Sequence, residues 1–325
     1  MKLKKIKRMV VAGTAILMTL SLAGCGIGSD SVKLGAAGVG GGYYAFSNAF
    51  AQIASSENED LDFEVKATAG STANIRLLSD GYVDMAIAQA DLVDAAYNGT
   101  GATDKKRYRG YSAVASLYTE ACQIVVRSDS GIDSLDDLQG KKISVGEEES
   151  GTQRNAEQIL KMTGLVESLV DTVNLDYVDA ANELKSGQID AFFCTAGIQT
   201  SVIEELSKEC DVKLIGIDDK CRDRLKSVYG FYTDYTIPAG TYEGQTQDVV
   251  TLGVRAVLLA RDDMDEKIVE ELTGLLFEHA QDIQYSIALT FQIDESEAVK
   301  NVTIPFHDGA KAYYQKKGIE IPAEQ

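Results

Sequence analysis

Lys142-Ile143-Ser144-Val145-Gly146-Glu147-Glu148-Glu149-Ser150-Gly151-Thr152-Gln153-Arg154 reads as a short buried strand, an acidic turn and the start of a helix. Ile143 and Val145 supply the β-branched character, and Ala156, Ile159 and Leu160 follow at helical spacing. Ser150 suits the N-cap, and Gln153 three residues on completes a Ser-x-x-Gln capping pattern. A helix opened this way presents unpaired N–H groups, the Ser150 and Thr152 hydroxyls and the positive end of its dipole, and Gly151 leaves room for a ligand to approach the backbone. Taken alone, these residues fit a cradle for a carboxylate or phosphate, and they fit an ordinary capped helix facing water as well. The chain repeats the arrangement, and the repeat weighs toward the cradle.

The second instance lies upstream. A strand over Val32–Ala37 runs through Gly38-Val39-Gly40-Gly41-Gly42 into a helix from Tyr43 to about Ser55 with Phe46, Phe50 and Ile53 on one face. Next come a strand near Phe63–Thr68, the turn Ala69-Gly70-Ser71, a helix carrying Asn74, Leu77 and Leu78, then Gly81-Tyr82-Val83-Asp84 and a strand Met85–Ala88 ending at Gln89. Downstream of Ser150 the same order returns: a strand at Val173–Val178, a helix with Asn182, Glu183 and Leu184, then Gly187-Gln188-Ile189-Asp190 and a strand Ala191–Cys194 ending at Thr195. The two Gly-x-x-Asp turns are 106 residues apart. Two strand–helix alternations of domain size imply two α/β lobes, each a mostly parallel sheet flanked by helices, with strand ends and helix starts gathered on one edge. If those edges face each other, Gly41, Gly42, Tyr43, Tyr44, Ser71, Asn74 and Gln89 meet Ser150, Gly151, Thr152, Thr195, Ala196 and Gly197 across a cleft. Cys122-Gln123-Ile124-Val125-Val126 within Tyr111–Arg127 and Val249–Ala260 are the two strands that cross between lobes, forming a hinge. Asp265–Tyr285 reads as one amphipathic helix that returns to the first lobe or braces both. The lobes are then 32–125 with 249–325, and 126–248.

Residues 1–24 stand apart from the fold. Lys2, Lys4, Lys5, Lys7 and Arg8 precede an apolar run from Met9 to Leu22, the layout of a secretory signal peptide. Leu22-Ala23-Gly24-Cys25 resembles the bacterial lipoprotein signal, which implies that Cys25 is lipidated and that 25–31 tether the fold to the outer face of a membrane. The formal net charge is −19, and the leader holds five of the 31 basic residues, so the remainder is more acidic still and offers no basic face to nucleic acid. Past Cys25 the cysteines are Cys122, Cys194, Cys210 and Cys221, with no Cys-x-x-Cys and only His279 and His307 in the chain, which argues against a metal site. Cys122 and Cys194 read as core residues, whereas Cys210 and Cys221 sit among charges and are free to pair. Gly38–Tyr43 fails the dinucleotide fingerprint because Tyr43 stands where its third glycine belongs. There is also no Gly-x-Ser-x-Gly elbow and no Asp-x-Asp-x-Asp-Gly loop, so the reading is a binding protein without cofactor rather than an enzyme.

Several segments resemble those of the TAXI family, the solute receptors of TRAP transporters. They are the Gly-rich entry with Tyr43-Tyr44, Ala69–Leu78, Gln89-Ala90-Asp91, Tyr97–Gly101, Ser150-Gly151-Thr152, Phe192–Gly197, Thr236–Tyr242, and Pro305–Ala310 with Tyr313-Tyr314. The resemblance implies a two-lobed fold of the periplasmic-binding-protein kind (type II-like), monomeric, that captures glutamate, glutamine or a related dicarboxylate or 2-oxoacid and delivers it to a TRAP membrane permease. Ser134-Leu135-Asp136-Asp137-Leu138-Gln139-Gly140-Lys141-Lys142 also resembles segments shared by solute-binding lipoproteins of ATP-driven importers, which keeps that alternative open, together with a receptor reporting to a sensor. One departure stands beside the cradle: the TAXI pattern has Gly where this chain has Glu149. Its side chain is expected either to face solvent or to partner an ammonium group on the ligand.

Overall fold

The computed structural model describes residues 31–101, 105–166, 168–287 and 293–322. The leader and Cys25 lie outside these residues. From Val32 the chain alternates strand and helix: β1 (Val32–Gly35), α1 (Gly42–Glu57), β2 (Phe63–Lys66), α2 (Ser71–Ser79), β3 (Met85–Gln89) and α3 (Ala90–Asn98). The strand β4 (Tyr111–Arg127) leads to a single turn of 3-10 helix at Leu135–Leu138 and a second alternation: β5 (Lys142–Ser144), α4 (Gly151–Thr163), β6 (Asp171–Val173), α5 (Tyr177–Ser186), β7 (Ala191–Ala196), α6 (Ser201–Glu209), β8 (Val212–Leu214), α7 (Asp219–Val228) and β9 (Thr233–Ile237). The return strand β10 (Val249–Arg261) is followed by α8 (Glu266–Glu278), α9 (Ala280–Ile287) and α10 (Asp308–Lys317).

All ten strands of the described residues belong to one sheet, in the order β2-β1-β3-β10-β4-β7-β5-β6, with β8 added to β4 and β9 to β10. The parallel ladders β2-β1-β3 and β6-β5-β7 carry the two alternations, and the antiparallel pair β4 and β10 joins them. At 17 residues β4 reaches about 55 Å, long enough to serve both halves. One core gathers Leu34, Phe46, Phe50, Ile87, Val114 and Tyr118 with Leu258, Leu276 and Tyr314, and a second gathers Ile124, Val126, Ile143, Ile159 and Phe193 with Leu252 and Val254. Both crossing strands therefore change core within a few residues, β4 between Tyr118 and Cys122 and β10 between Val254 and Ala256. The β4–β10 register slips at that point, between Arg255 and Val257, and such irregularities bend a strand and sharpen its twist. Among the described residues, no helix is long and apolar enough to cross a membrane.

Two expectations are corrected. The stretch 173–178 is not a strand: β6 stops at Val173, the Asp176 carboxylate accepts from the Asp179 N–H at 2.8 Å, and Tyr177 opens α5. The helix expected over 265–285 breaks at His279 into α8 and α9, although the apolar face continues through both and Leu272, Leu276 and Ile283 all enter the first core. The four cysteines from Cys122 to Cys221 carry free thiols, so Cys210 and Cys221 are not paired. His307 is a structural residue, its Nδ1 accepting from the Gly309 N–H at the start of α10.

Candidate functional site

The parallel ladders aim their strand ends at a common gap, where the first turns of α1, α2, α4 and α5 converge with β3, β4 and β7. The gap is narrow in this structure, a cavity of about 40 Å³ that opens to solvent at its rim. Its walls include Gly41, Gly42, Tyr43, Ser71, Gln89, Ser150, Gly151, Thr152, Thr195 and Ala196 from the expected set. Tyr44, Asn74 and Gly197 are placed off the wall. The Asn74 amide is instead a buttress under β1 and β3, donating to the Ile87 carbonyl at 2.8 Å and to that of Ala36, and accepting from the Thr68 hydroxyl at 2.7 Å. The Gly197 carbonyl accepts from the Thr200 hydroxyl at 2.6 Å.

The donors fall into two groups. The first-turn N–H groups of α1 and α4 have no acceptor within their own helices, and Gly42, Tyr43, Gly151 and Thr152 all line the gap. The expected hydroxyls already have partners within the protein, Ser150 as an acceptor only. Ser150 Oγ accepts from the Gln153 N–H at 2.9 Å as the cap of α4, and Thr152 Oγ1 accepts from the Thr195 N–H at 3.2 Å and lies 2.6 Å from the Tyr177 hydroxyl. Tyr177 in turn donates to the Thr195 carbonyl at 3.1 Å, which ties α5, α4 and β7 into one wall. Burial raises the Tyr177 phenol well above its usual range, so it remains neutral. The reciprocal arm of the capping pattern is displaced by one residue, since the side-chain Oε1 of Gln153 accepts from the N–H of Glu149 rather than that of Ser150.

Gly151 serves a different purpose from the one expected. A β-carbon there would lie 2.5 Å from Cδ of Gln89, so the space beside the glycine is filled by a side chain of the protein, reaching across from β3. Glu149 also has a partner within the protein. Its carboxylate takes two hydrogen bonds from the Arg76 guanidinium on α2, at 2.7 and 3.1 Å, and its carbonyl accepts from the N–H groups of Thr72 and Ala73. In this clasp between α2 and the start of α4 the Glu149 side chain is still 40% exposed, so it faces solvent in part, as expected, and its charge is met by Arg76. On the other rim, Ser201 Oγ donates to the Gly40 carbonyl at 3.0 Å.

On the acceptor side, Glu120 of β4 is buried in the wall and accepts from the Tyr43 hydroxyl at 2.6 Å. Burial pushes its carboxyl up to about 8, opposed in part by hydrogen bonds from Tyr43 and Gln89. Tyr43 itself is raised far above the phenol range, by burial first and by the Glu120 charge second. The Ser71 hydroxyl accepts from the Gln89 N–H at 3.1 Å, which ties the start of α2 to the end of β3 beside Tyr43. Glu147, held up by partial burial and the neighbouring Asp176, completes the acidic part of the rim. Sequence reasoning missed Glu120 and Tyr177. A single acid between Tyr111 and Val126, the one charge in the strand before its terminal Arg127, was the available sign of the first; the misread strand at 173–178 concealed the second.

A mixed α/β sheet whose two halves share two crossing strands, with helix starts converging on the gap, is the periplasmic-binding-protein type of fold. Solved structures agree. The chain is similar to MatC of Rhodopseudomonas palustris with bound malate, at 14% identity over 82% of this chain and 91% of that one with a TM-score of 0.57. It is also similar to PhnD1 of Prochlorococcus marinus in complex with methylphosphonate, at 13% identity over 90% and 100% with a TM-score of 0.56. At such identities the likeness is one of fold. The chain belongs to the NMT1-like family, whose model matches residues 34–318.

Proposed function

We propose that this protein is an extracytoplasmic receptor that captures a small organic acid in the gap and hands it to a membrane importer. The observation that carries the reading is the meeting of two helix starts, α1 and α4, whose N–H groups line one cavity with no acceptor of their own. Amide donors and positive helix ends held in a partly enclosed space suit a carboxylate, and MatC and PhnD1, which share the fold, are described with malate and methylphosphonate. In this reading the lobes, 32–125 with 249–325 and 126–248, swing about β4 and β10. Closing brings α4 onto the acid held by α1, and the Arg76–Glu149 clasp then forms. The ligand is released unchanged. A lipid on Cys25 anchors the protein beside its permease.

Two kinds of importer fit. Membership of the NMT1-like family and the Ser134–Lys142 segment, shared with receptors of ATP-driven importers, favour an ATP-driven one. A TRAP permease of the TAXI kind rests on the resemblance of the shorter segments, with glutamate, glutamine or a related acid as the cargo. The receptor reading is tested by thermal melting of protein refolded without ligand, against a panel of amino acids, dicarboxylates and 2-oxoacids. A ligand present at 1,000 times its dissociation constant adds about 4 kcal/mol of stability. A panel without effect on melting removes the reading. Uptake that survives collapse of the ion gradients but stops when ATP is depleted identifies the ATP-driven importer; the reverse identifies TRAP.

A further inference from the structure

With Glu149 engaged by Arg76, the cavity retains another carboxyl that faces its empty space. Glu120 is 2% exposed, and one of its oxygens accepts from Tyr43. Beside it Gln89, also 2% exposed, leaves its Oε1 buried without any hydrogen-bond partner. A buried carboxylate normally has a countercharge, and no cation is among the groups acting on this one. The ionisable groups around it are Tyr43 on α1, Asp91 on α3, Tyr118 and Cys122 on its own strand, Cys194 on β7 and Tyr177 on α5. All of them are acids or neutral hydroxyls and thiols. Glu147 and Asp176 at the rim add only further negative charge. The gap thus has donors without acceptors on the helix starts and acceptors without a cation on its β3–β4 wall.

We infer that Glu120 determines specificity: its carboxylate, together with Gln89 Oε1, accepts hydrogen bonds from a protonated nitrogen of the ligand while the ligand's anionic group rests on the starts of α1 and α4. The inference depends on the receptor reading and narrows it to zwitterions, choosing an amine over the matching keto acid. It also fixes a pH signature. The empty site holds a proton on Glu120 below about pH 8, and that proton must leave before a cationic nitrogen binds. Affinity for the amine therefore falls by up to about tenfold for each pH unit below that point. A dianion that took its hydrogen bond from the neutral carboxyl would show the opposite slope.

The test is isothermal titration of the full chain, refolded without ligand, at pH 6.5 and pH 8.0. The probes are pairs differing only at the α-carbon: L-glutamate with 2-oxoglutarate, L-alanine with pyruvate, and L-leucine with 4-methyl-2-oxopentanoate. The amine of the binding pair is expected to bind about 30-fold or more tighter than its keto acid, the scale of a lost charge-assisted hydrogen bond. It is also expected to gain about tenfold between the two pH values. Glu120→Gln, of nearly the same shape, should remove both the preference and the pH slope. A keto acid bound as well as its amine, affinity rising toward acid, or a Glu120→Gln protein that keeps the preference overturns the inference and leaves the receptor reading intact. If no member of any pair binds, the inference fails, and the receptor reading is decided separately by the wider melting panel. Should Glu120→Gln not fold, the slope of the wild-type protein decides alone.

Discussion

Helices α2 and α4 begin within contact of each other and have opposite fates. The α4 start is capped by a side chain, Ser150, and its next two N–H groups line the gap. The α2 start is capped by Gly70 without a side-chain bond, and the N–H groups of Thr72 and Ala73 are taken by the Glu149 carbonyl. Glu149 makes this contact from the left-handed region, at φ 65°. The positive end of one helix is thereby used to hold the other half of the molecule, and that of the second is left open. What distinguishes an open helix start from a structural contact here is the acceptor that the opposite surface brings, since the helix starts themselves are alike in sequence.

That contrast can be broken by substitution. The largest effect is expected from Gly151→Ala, whose β-carbon would enter the Gln89 amide. Overpacking of this kind costs about 1–3 kcal/mol, read as a lower melting temperature, and adding Gln89→Ala should recover most of it. Unchanged melting in the single variant would mean that the two halves do not meet at this glycine in solution. Gly70→Ala comes next. Gly70 has φ 121° and ψ −146°, a region closed to side chains, so about 1–2 kcal/mol should be lost in denaturant titration even though its nearest neighbour would be an ordinary 3.5 Å away. Ser150→Ala removes the cap of α4 and should cost about 1 kcal/mol, whereas Thr72→Ala in the first turn of α2 should leave stability nearly unchanged, because only its N–H is used. The smallest change belongs to Arg76→Ala. Both partners of that pair are more than a third exposed, so its loss should cost less than about 1 kcal/mol and become undetectable in molar salt.

Much of the architecture was legible because it rests on local rules. Ser150 and Gln153, the Gly-x-x-Asp turns and the apolar run of Tyr111–Arg127 each act over a few residues, and the structure places an element at each. The candidate site was legible only as a set of backbone positions, ten of the thirteen named residues lining one cavity. Its side-chain chemistry was not. Whether Thr152 offers its hydroxyl to a ligand depends on Tyr177, a residue 25 positions away, and whether Glu149 faces the gap depends on Arg76, 73 positions away. Pairings over such distances leave no trace in a short window. Glu120 was closer to reach, since a lone acid in a buried strand always needs an explanation.

The two crossing strands also govern the order in which the molecule can be completed during synthesis. The second core draws on residues 122 to 254, an unbroken stretch, while the first needs Leu258, Leu276 and Tyr314 to join residues that left the ribosome more than 200 positions earlier. The half that is begun first is therefore finished last, and the N-terminal strands wait with an apolar face uncovered until β10 arrives. If residues 1–24 act as the secretory leader that their sequence resembles, this delay is useful, because a polypeptide kept from closing is one that a secretion channel can still thread.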